Sequence, residues 1–294
     1  MKYDKLNREI VEEITQLGNS FVQDLAFLAL SKPLEHTALK QNQKFDLKAK
    51  LGSIRLLLER ATDIPDKSEY DRQPLGKYAE SLLHFYFLHH PDWELLAENM
   101  QLNQEGISKG EIDFLLYHRK EKTYIHLELA LKYYLKTELN RKVIFLGPST
   151  KDWFSRKIKK LQEHQLQLLS TYPELMKSSW AHLEFKPKHL IKGSLFYPWR
   201  ELLSKMDHNS FSSAWWCSFE ELEKLPLSAY GKLISNKKDW IFPFKADKLL
   251  PHQSVMEQLK SLFAEGRNEL MLVRYDENGK VMDRGFIVRN HWPN

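Results

Sequence analysis

The chain has 294 residues, of which 42% are hydrophobic and 28% charged, and 44 Lys+Arg against 39 Asp+Glu give a net charge of +5. These globular proportions exclude a disordered chain, and the even spread of 12 Pro and 11 Gly excludes collagen-like and low-complexity architectures. The single cysteine, Cys217, excludes an intrachain disulfide and a Cys-cluster metal site and fits a reducing compartment.

Met1 is followed by charged, helix-patterned residues rather than an apolar leader. The most apolar early stretch, Phe21 to Leu30, contains Gln23 and Asp24 and is too short to span a bilayer. The expectation is a cytoplasmic protein with no membrane association.

In chain order, Leu6, Ile10, Ile14 and Leu17 recur at helical spacing. A second helix is expected over Ser20–Ser31 and a third over Phe45–Thr62. The polar, proline-bearing stretch Asp63–Pro74 reads as a loop. Pro74 then opens an apolar helix running to His89, with proline in a tolerated first-turn position. Beyond Pro91 the pattern turns to strands, at Trp93–Leu102, Gly110–His118 and Thr123–Leu135. The charged turn 119–122 joins the last two into an antiparallel hairpin. A short strand at Val143–Phe145, a helix over Trp153–Ser170 with Gln165 on its apolar stripe, and a strand at Leu190–Tyr197 follow. In the aromatic C-terminal third, helices are expected at Trp199–Met206 and Ser254–Ala264. Two strands, Glu269–Tyr275 and Lys280–Val288, flank Asn278-Gly279, a hairpin signal.

No phosphate loop, dinucleotide fingerprint, HExxH or GxSxG occurs. Cys217 follows Trp215-Trp216 with no basic neighbour and reads as an inert, buried thiol.

The chemistry concentrates in the hairpin. Asp113 lies between Ile112 and Phe114, and Glu128 between Leu127 and Leu129, so both carboxylates sit in core-like strands. With the turn centred between Lys120 and Glu121, facing residue numbers sum to 241, and Asp113 faces Glu128. Period two then puts Glu111, Asp113, His126, Glu128, Ala130 and Lys132 on one face. Two opposed carboxylates repel, which points to a hard cation between them, Mg²⁺ or Mn²⁺. The competing reading pairs the acids with Lys109, Lys132 or Arg141 and needs no metal. Gln165 is a candidate polar group beside the sheet, and Glu80, in the preceding helix, a candidate further ligand. The basic run Arg156, Lys157, Lys159 and Lys160 is a candidate phosphate contact; a solvated helix face is the plainer reading.

The order helix-with-Glu, strand, strand-with-Asp, strand-with-Glu, basic helix resembles the PD-(D/E)XK nuclease superfamily over about residues 74–197. More narrowly, the segments LGKYAE from Leu75, GEIDFL from Gly110 and HLELALK from His126 resemble an uncharacterised bacterial family, domain of unknown function 1853. His164-Gln165-Leu166 and Arg284-Gly285-Phe286-Ile287-Val288 fit the same family. The resemblance implies an α/β fold with a restriction-endonuclease-like core, a central mixed sheet flanked by helices, over residues 74–198. A helical segment (1–73) precedes it and an α+β extension (199–294) follows. It implies Asp113 and Glu128 as metal ligands, Glu80 as an accessory acid and metal ligand, and Glu111, His126 and Gln165 around them. The superfamily lysine stands two residues after the second acid, where this chain has Ala130. Either Lys132 serves instead, or His126 holds the acid position and Glu128 the lysine position.

Three functions follow as expectations: a Mg²⁺- or Mn²⁺-dependent nuclease using Asp113, Glu128 and Lys132, on DNA ahead of RNA; a nucleic-acid-binding module on a degenerate nuclease fold; or a scaffold whose aromatic region, with Trp215, Trp216, Trp240 and Trp292, binds a protein.

Overall fold

A computed structural model describes residues 8–35, 39–203, 214–224 and 228–293. In chain order the elements are α1 (Arg8–Thr15), α2 (Ser20–Leu30), α3 (Leu51–Arg60), α4 (Leu75–His89), β1 (Trp93–Gln104), β2 (Ile107–His118), β3 (Thr123–Leu139) and β4 (Lys142–Leu146). Next come α5 (Phe154–Glu163), α6 (Leu168–Thr171), β5 (Phe185–Pro198), α7 (Trp199–Leu203), β6 (Ala214–Ser218), α8 (Phe219–Leu222) and β7 (Tyr230–Ile234). The last are β8 (Leu250–Pro251), α9 (His252–Ala264), β9 (Glu269–Tyr275) and β10 (Val281–Val288). The class is α/β, with ten strands of mixed direction and flanking helices. Among the described residues no helix is long and apolar enough to cross a membrane.

Contacts divide the chain into two units, each discontinuous in sequence. One comprises Asn19–Leu131 and Ser155–Gly193; the other comprises Met1–Gly18, Lys132–Phe154 and Ser194–Asn294. The first contains both hairpin acids and is called here the acid-bearing unit; the second is the companion unit.

In the acid-bearing unit, β1, β2 and β3 are consecutive antiparallel neighbours. The β2–β3 register pairs Phe114 with Leu127, Leu115 with His126 and Tyr117 with Tyr124, so facing numbers sum to 241 as the charged turn required. The β1–β2 turn is Glu105-Gly106, with both residues at positive φ, a pairing suited to a tight hairpin. Helix α4 buries Tyr78, Ala79, Leu82, Leu83, Phe85, Tyr86 and Phe87, one apolar stripe at helical spacing. Phe21 of α2 packs edge-on against Tyr78 and Phe85. Beneath them the buried Asp24 carboxylate accepts a hydrogen bond from the Tyr78 hydroxyl at 2.7 Å and pairs with Lys67 at 2.7 Å.

Two helix expectations are corrected here. The third helix begins at Leu51, not Phe45, because residues 44–47 run extended beside His189. The Phe45 N–H donates to the His189 carbonyl, and Phe45 and Leu47 are buried on either side of an exposed Asp46, which is strand alternation. The helix expected over Trp153–Ser170 stops at Glu163. His164 leaves helical geometry at φ −127°, ψ −67°, and a 3₁₀ turn over Gln165–Gln167 leads into α6. In the C-terminal third, α7 covers Trp199–Leu203, while 204–206 of the helix expected there, like Leu6 of the first, lie outside the described residues.

In the companion unit, β9 and β10 form the expected hairpin around Gly279, and β10 also pairs in parallel with β6. Trp215, Cys217, Leu222, Val255, Leu259, Leu272 and Ile287 pack as one core. Trp215 and Trp240 are both buried. Trp216 and Trp292 meet edge to face, half-buried, and their indole N–H groups donate to the Lys136 and Pro148 carbonyls. Burial pushes the Cys217 thiol far above its ordinary value, so it is not a thiolate nucleophile.

Gly285 of β10 lies directly under the Trp215 ring, and a Cβ at this position would collide with the indole. Gly285→Ala is expected to lower stability by about 1–3 kcal/mol or more, the usual cost of overpacking. Chemical denaturation checks this; a variant with wild-type stability would show that the indole moves aside at no cost.

Candidate functional site

Strand period brings the acids together. Extending the observed β2–β3 register by one residue places Asp113 opposite Glu128 on the same sheet face. Here a side chain takes over from the backbone ladder: the Asp113 carboxylate accepts the Leu129 N–H at 2.8 Å. Both acids are buried, Glu128 at 1% exposure. Burial, reinforced by the charge of Glu128, raises the Asp113 carboxyl to about 8, against the pull of the Leu129 N–H and of Lys157.

Each Glu128 oxygen has a partner. His126, two residues earlier on the same face, contacts Oε1 through Nε2 at 2.8 Å, and Gln165 donates to Oε2 at 2.6 Å. The other ring nitrogen, His126 Nδ1, is buried without a hydrogen-bond partner. Lys157 of α5 donates to Gln165 Oε1 at 2.9 Å, completing a chain from lysine to glutamine to carboxylate to imidazole. The break at His164 makes this possible: Gln165 sits in the 3₁₀ turn after the helix ends and reaches Glu128 from there.

Glu80 and Glu111 form a second cluster around Lys77. Lys77 of α4 donates to Glu80 at 2.8 Å, to Glu111 and to Asn99 Oδ1 at 2.6 Å, and Gln101 holds the other Glu111 oxygen. Burial opposes its charge, but the bonds to Glu111 and Glu80 push Lys77 up to about 12. Burial holds Glu80 above the usual carboxylate range; Lys77 pulls the other way, and Glu111 and Glu128 add to the rise. Lys132 belongs to the companion unit, where it pairs with Asp152 at 2.5 Å. The basic run divides: Lys157 turns inward to Gln165, while Arg156, Lys159 and Lys160 are exposed, with Lys159 near Glu163 at 3.8 Å. Lys77 and Asn99 carry no signal in the sequence beyond a lysine at the i+3 spacing from Glu80.

Among the described residues no group of three or more His, Cys, Asp or Glu side chains is placed to hold a metal. Glu80 is instead tied to Lys77. The donor set that fits a hard cation is the facing pair Asp113 and Glu128, and Mg²⁺ is commonly held by one or two carboxylates, completed by water and substrate phosphate. A cation there would also offset the burial and the Glu128 charge that together raise Asp113.

No curated protein and no solved structure matches the chain significantly. The model of one family, described as a domain of unknown function (DUF1853), matches residues 23–288. With nearly the whole chain covered, the protein belongs to the DUF1853 family.

Proposed function

We propose that the protein is a divalent-metal-dependent phosphodiesterase acting on nucleic acid, DNA ahead of RNA, through a restriction-endonuclease-like core. The observation that carries this is the buried Asp113 facing Glu128, two carboxylates in core strands, with the Asp113 carboxyl raised by burial and by the charge of Glu128. Asp113 and Glu128 would hold Mg²⁺ or Mn²⁺. That ion would polarise the phosphate and make a bound water more acidic. His126 and Gln165 fix the two oxygens of Glu128, so the ligand is oriented before anything binds. Lys157 orients Gln165 and brings a positive charge towards the acids, where negative charge develops in phosphoryl transfer. Arg156 and Lys160, exposed on α5, would meet phosphates at the surface.

Which lysine serves the reaction is tested by comparison. Nicking of supercoiled plasmid with Mg²⁺ or Mn²⁺ should fall about a hundredfold or more in Lys157→Ala, the scale of losing one charge-stabilising group. Asp113→Asn should abolish it. Lys132→Ala, whose lysine is engaged by Asp152, should cost less than about tenfold. The opposite order for the two lysines would return Lys132 to the catalytic role.

The pairing of Lys132 with Asp152 also favours a second reading, a nucleic-acid-binding module without catalysis. Wild-type protein that binds DNA and RNA yet cleaves neither with Mg²⁺ or Mn²⁺ would establish that alternative.

A further inference from the structure

Beside the acids, and wholly within the acid-bearing unit, lies an open cleft of about 670 Å³ between α4, β1 and the loop before α4. Two of its lining residues relate it to the acid pair. Glu80 lines the cleft, and its charge is felt by Asp113. Asn99 also lines it, and the β1–β2 register, which pairs Glu98 with Phe114 and Met100 with Ile112, sets Asn99 opposite Asp113. Asn99 takes φ 48° in the middle of a strand, a left-handed conformation that costs energy and gathers at functional sites.

The chemistry of the walls selects the ligand. Asp63, Glu80 and Glu98 line the cleft, and of its three basic side chains Lys77 is committed to Glu80 and Glu111, His84 to Glu98, and His89 packs on the Phe85 ring, where burial disfavours its charged form. A polyanionic backbone running through would meet carboxylates, whereas backbone-tracking grooves are lined with Lys and Arg. Apolar side chains, Pro65, Phe85 and Leu88, supply contact area, and Leu88 is left 58% exposed. The volume lies within the roughly 300–1,000 Å³ of small-ligand sites. At the polar edge His84 Nδ1 holds Glu98 Oε2 at 2.7 Å, which orients the carboxylate and leaves Oε1 to accept from a ligand.

We infer that the cleft receives one unpaired nucleobase, next to the phosphate at the acid pair, and that Glu98 selects bases carrying an exocyclic amino group. This deepens the nucleic-acid reading above and rests on it. A carboxylate accepts from the amino groups of cytosine, adenine or guanine, but thymine and uracil present carbonyl oxygens that repel it. A base must leave the duplex stack to enter, so single strands, flaps, frayed ends and the unpaired stretches of supercoiled DNA are the favoured substrates.

The test is fluorescence anisotropy of labelled oligonucleotides of about eight nucleotides, a length suited to one single-strand site. It is run at low salt with Ca²⁺ in place of Mg²⁺, with strand integrity checked on a gel. Oligo-dC and oligo-dA should bind about tenfold or more tighter than oligo-dT, and a blunt hairpin should bind more weakly than any of them. Glu98→Gln should erase the difference between oligo-dC and oligo-dT. Leu88→Asp should weaken every single strand by about fivefold or more, the range of one lost stacking contact. Both side chains are surface-accessible, and circular dichroism confirms that each variant is folded. Single strands bound with no base preference, or unaffected by the two variants, would overturn the cleft inference alone. No binding to any nucleic acid would overturn the nucleic-acid reading itself, and binding as described without Mn²⁺-dependent nicking would overturn only catalysis.

Discussion

Wild-type protein should lose thermal stability as pH rises from about 4 to about 8, and Asp113→Asn should lose much less. In the folded protein the Asp113 carboxyl titrates near 8, against about 4 in an unfolded chain. Below about pH 4 both states hold the proton, and its stabilising contribution is fully present. As pH rises the unfolded chain gives up the proton while the folded protein retains it, so unfolding is increasingly favoured; above about 8 both are ionised and the loss is complete. Asn keeps an acceptor for the Leu129 N–H and carries no charge to bury or to oppose Glu128. Relative to wild type, the variant should gain roughly 5–10 °C in Tm between pH 5 and pH 8. Mn²⁺ should raise the Tm of wild type at pH 8 and leave the variant unchanged, because a cation held between two carboxylates needs both. Parallel Tm profiles for the two proteins would mean that Asp113 is ionised at ordinary cost and that the acids do not interact.

Asp283→Ala in the companion unit should be the most damaging single change there. The Asp283 carboxylate, 4% exposed, accepts from Arg274 Nε at 2.8 Å and from Trp215 Nε1 at 2.8 Å, with a second Arg274 bond to its other oxygen. Truncation leaves a guanidinium and an indole N–H buried without their carboxylate, a loss of about 3–5 kcal/mol. Trp215→Phe, which removes one neutral donor, should cost about 1 kcal/mol through this bond. Replacing the ion pair together, as Arg274→Met with Asp283→Leu, should recover most of what the single change loses, since a buried pair gains little over well-packed apolar residues. Equilibrium urea unfolding of the three variants checks the order; a double variant as unstable as Asp283→Ala would show that the pair does more than satisfy its own charges.

The hairpin was legible because two long strands flank a short charged turn, so period two and one centre of symmetry fix the register from Asp113 to Glu128. The Glu105-Gly106 turn was less visible, since Glu is an unusual residue at positive φ. Strand β6, with Trp215, Trp216 and Cys217, lies in parallel beside β10, and so apolar a run has no alternation to read. Leu47, Leu51 and Ile54 fit a helix spacing as well as the observed strand-then-helix, and only the remote His189 carbonyl settles which holds. At the site, Gln165 stood out as polar on an apolar stripe. The reason is a helix break at His164, which neither proline nor glycine announces. No local pattern tells which lysine of a basic run turns inward, so Lys157 looked like its exposed neighbours. Lys132 joins the acid face by strand alternation, while its partner Asp152, in a loop twenty residues away, carries no mark in the sequence.

The interleaving of the two units sets an order of assembly during synthesis. Every residue of the acid-bearing unit has been made once residue 193 emerges, so its strands and helices can close on one another while the last hundred residues are still being added. The companion unit works the other way. Helix α1 is among the first elements made, yet it belongs with strands that follow residue 193, and its Glu12 meets Lys280 at 3.9 Å. Its amphipathic face must stay uncovered through most of translation, a long loop closure that is entropically mild but slow in coming. A nascent chain stalled after residue 193 should therefore protect the acids from proteolysis and leave α1 open to it.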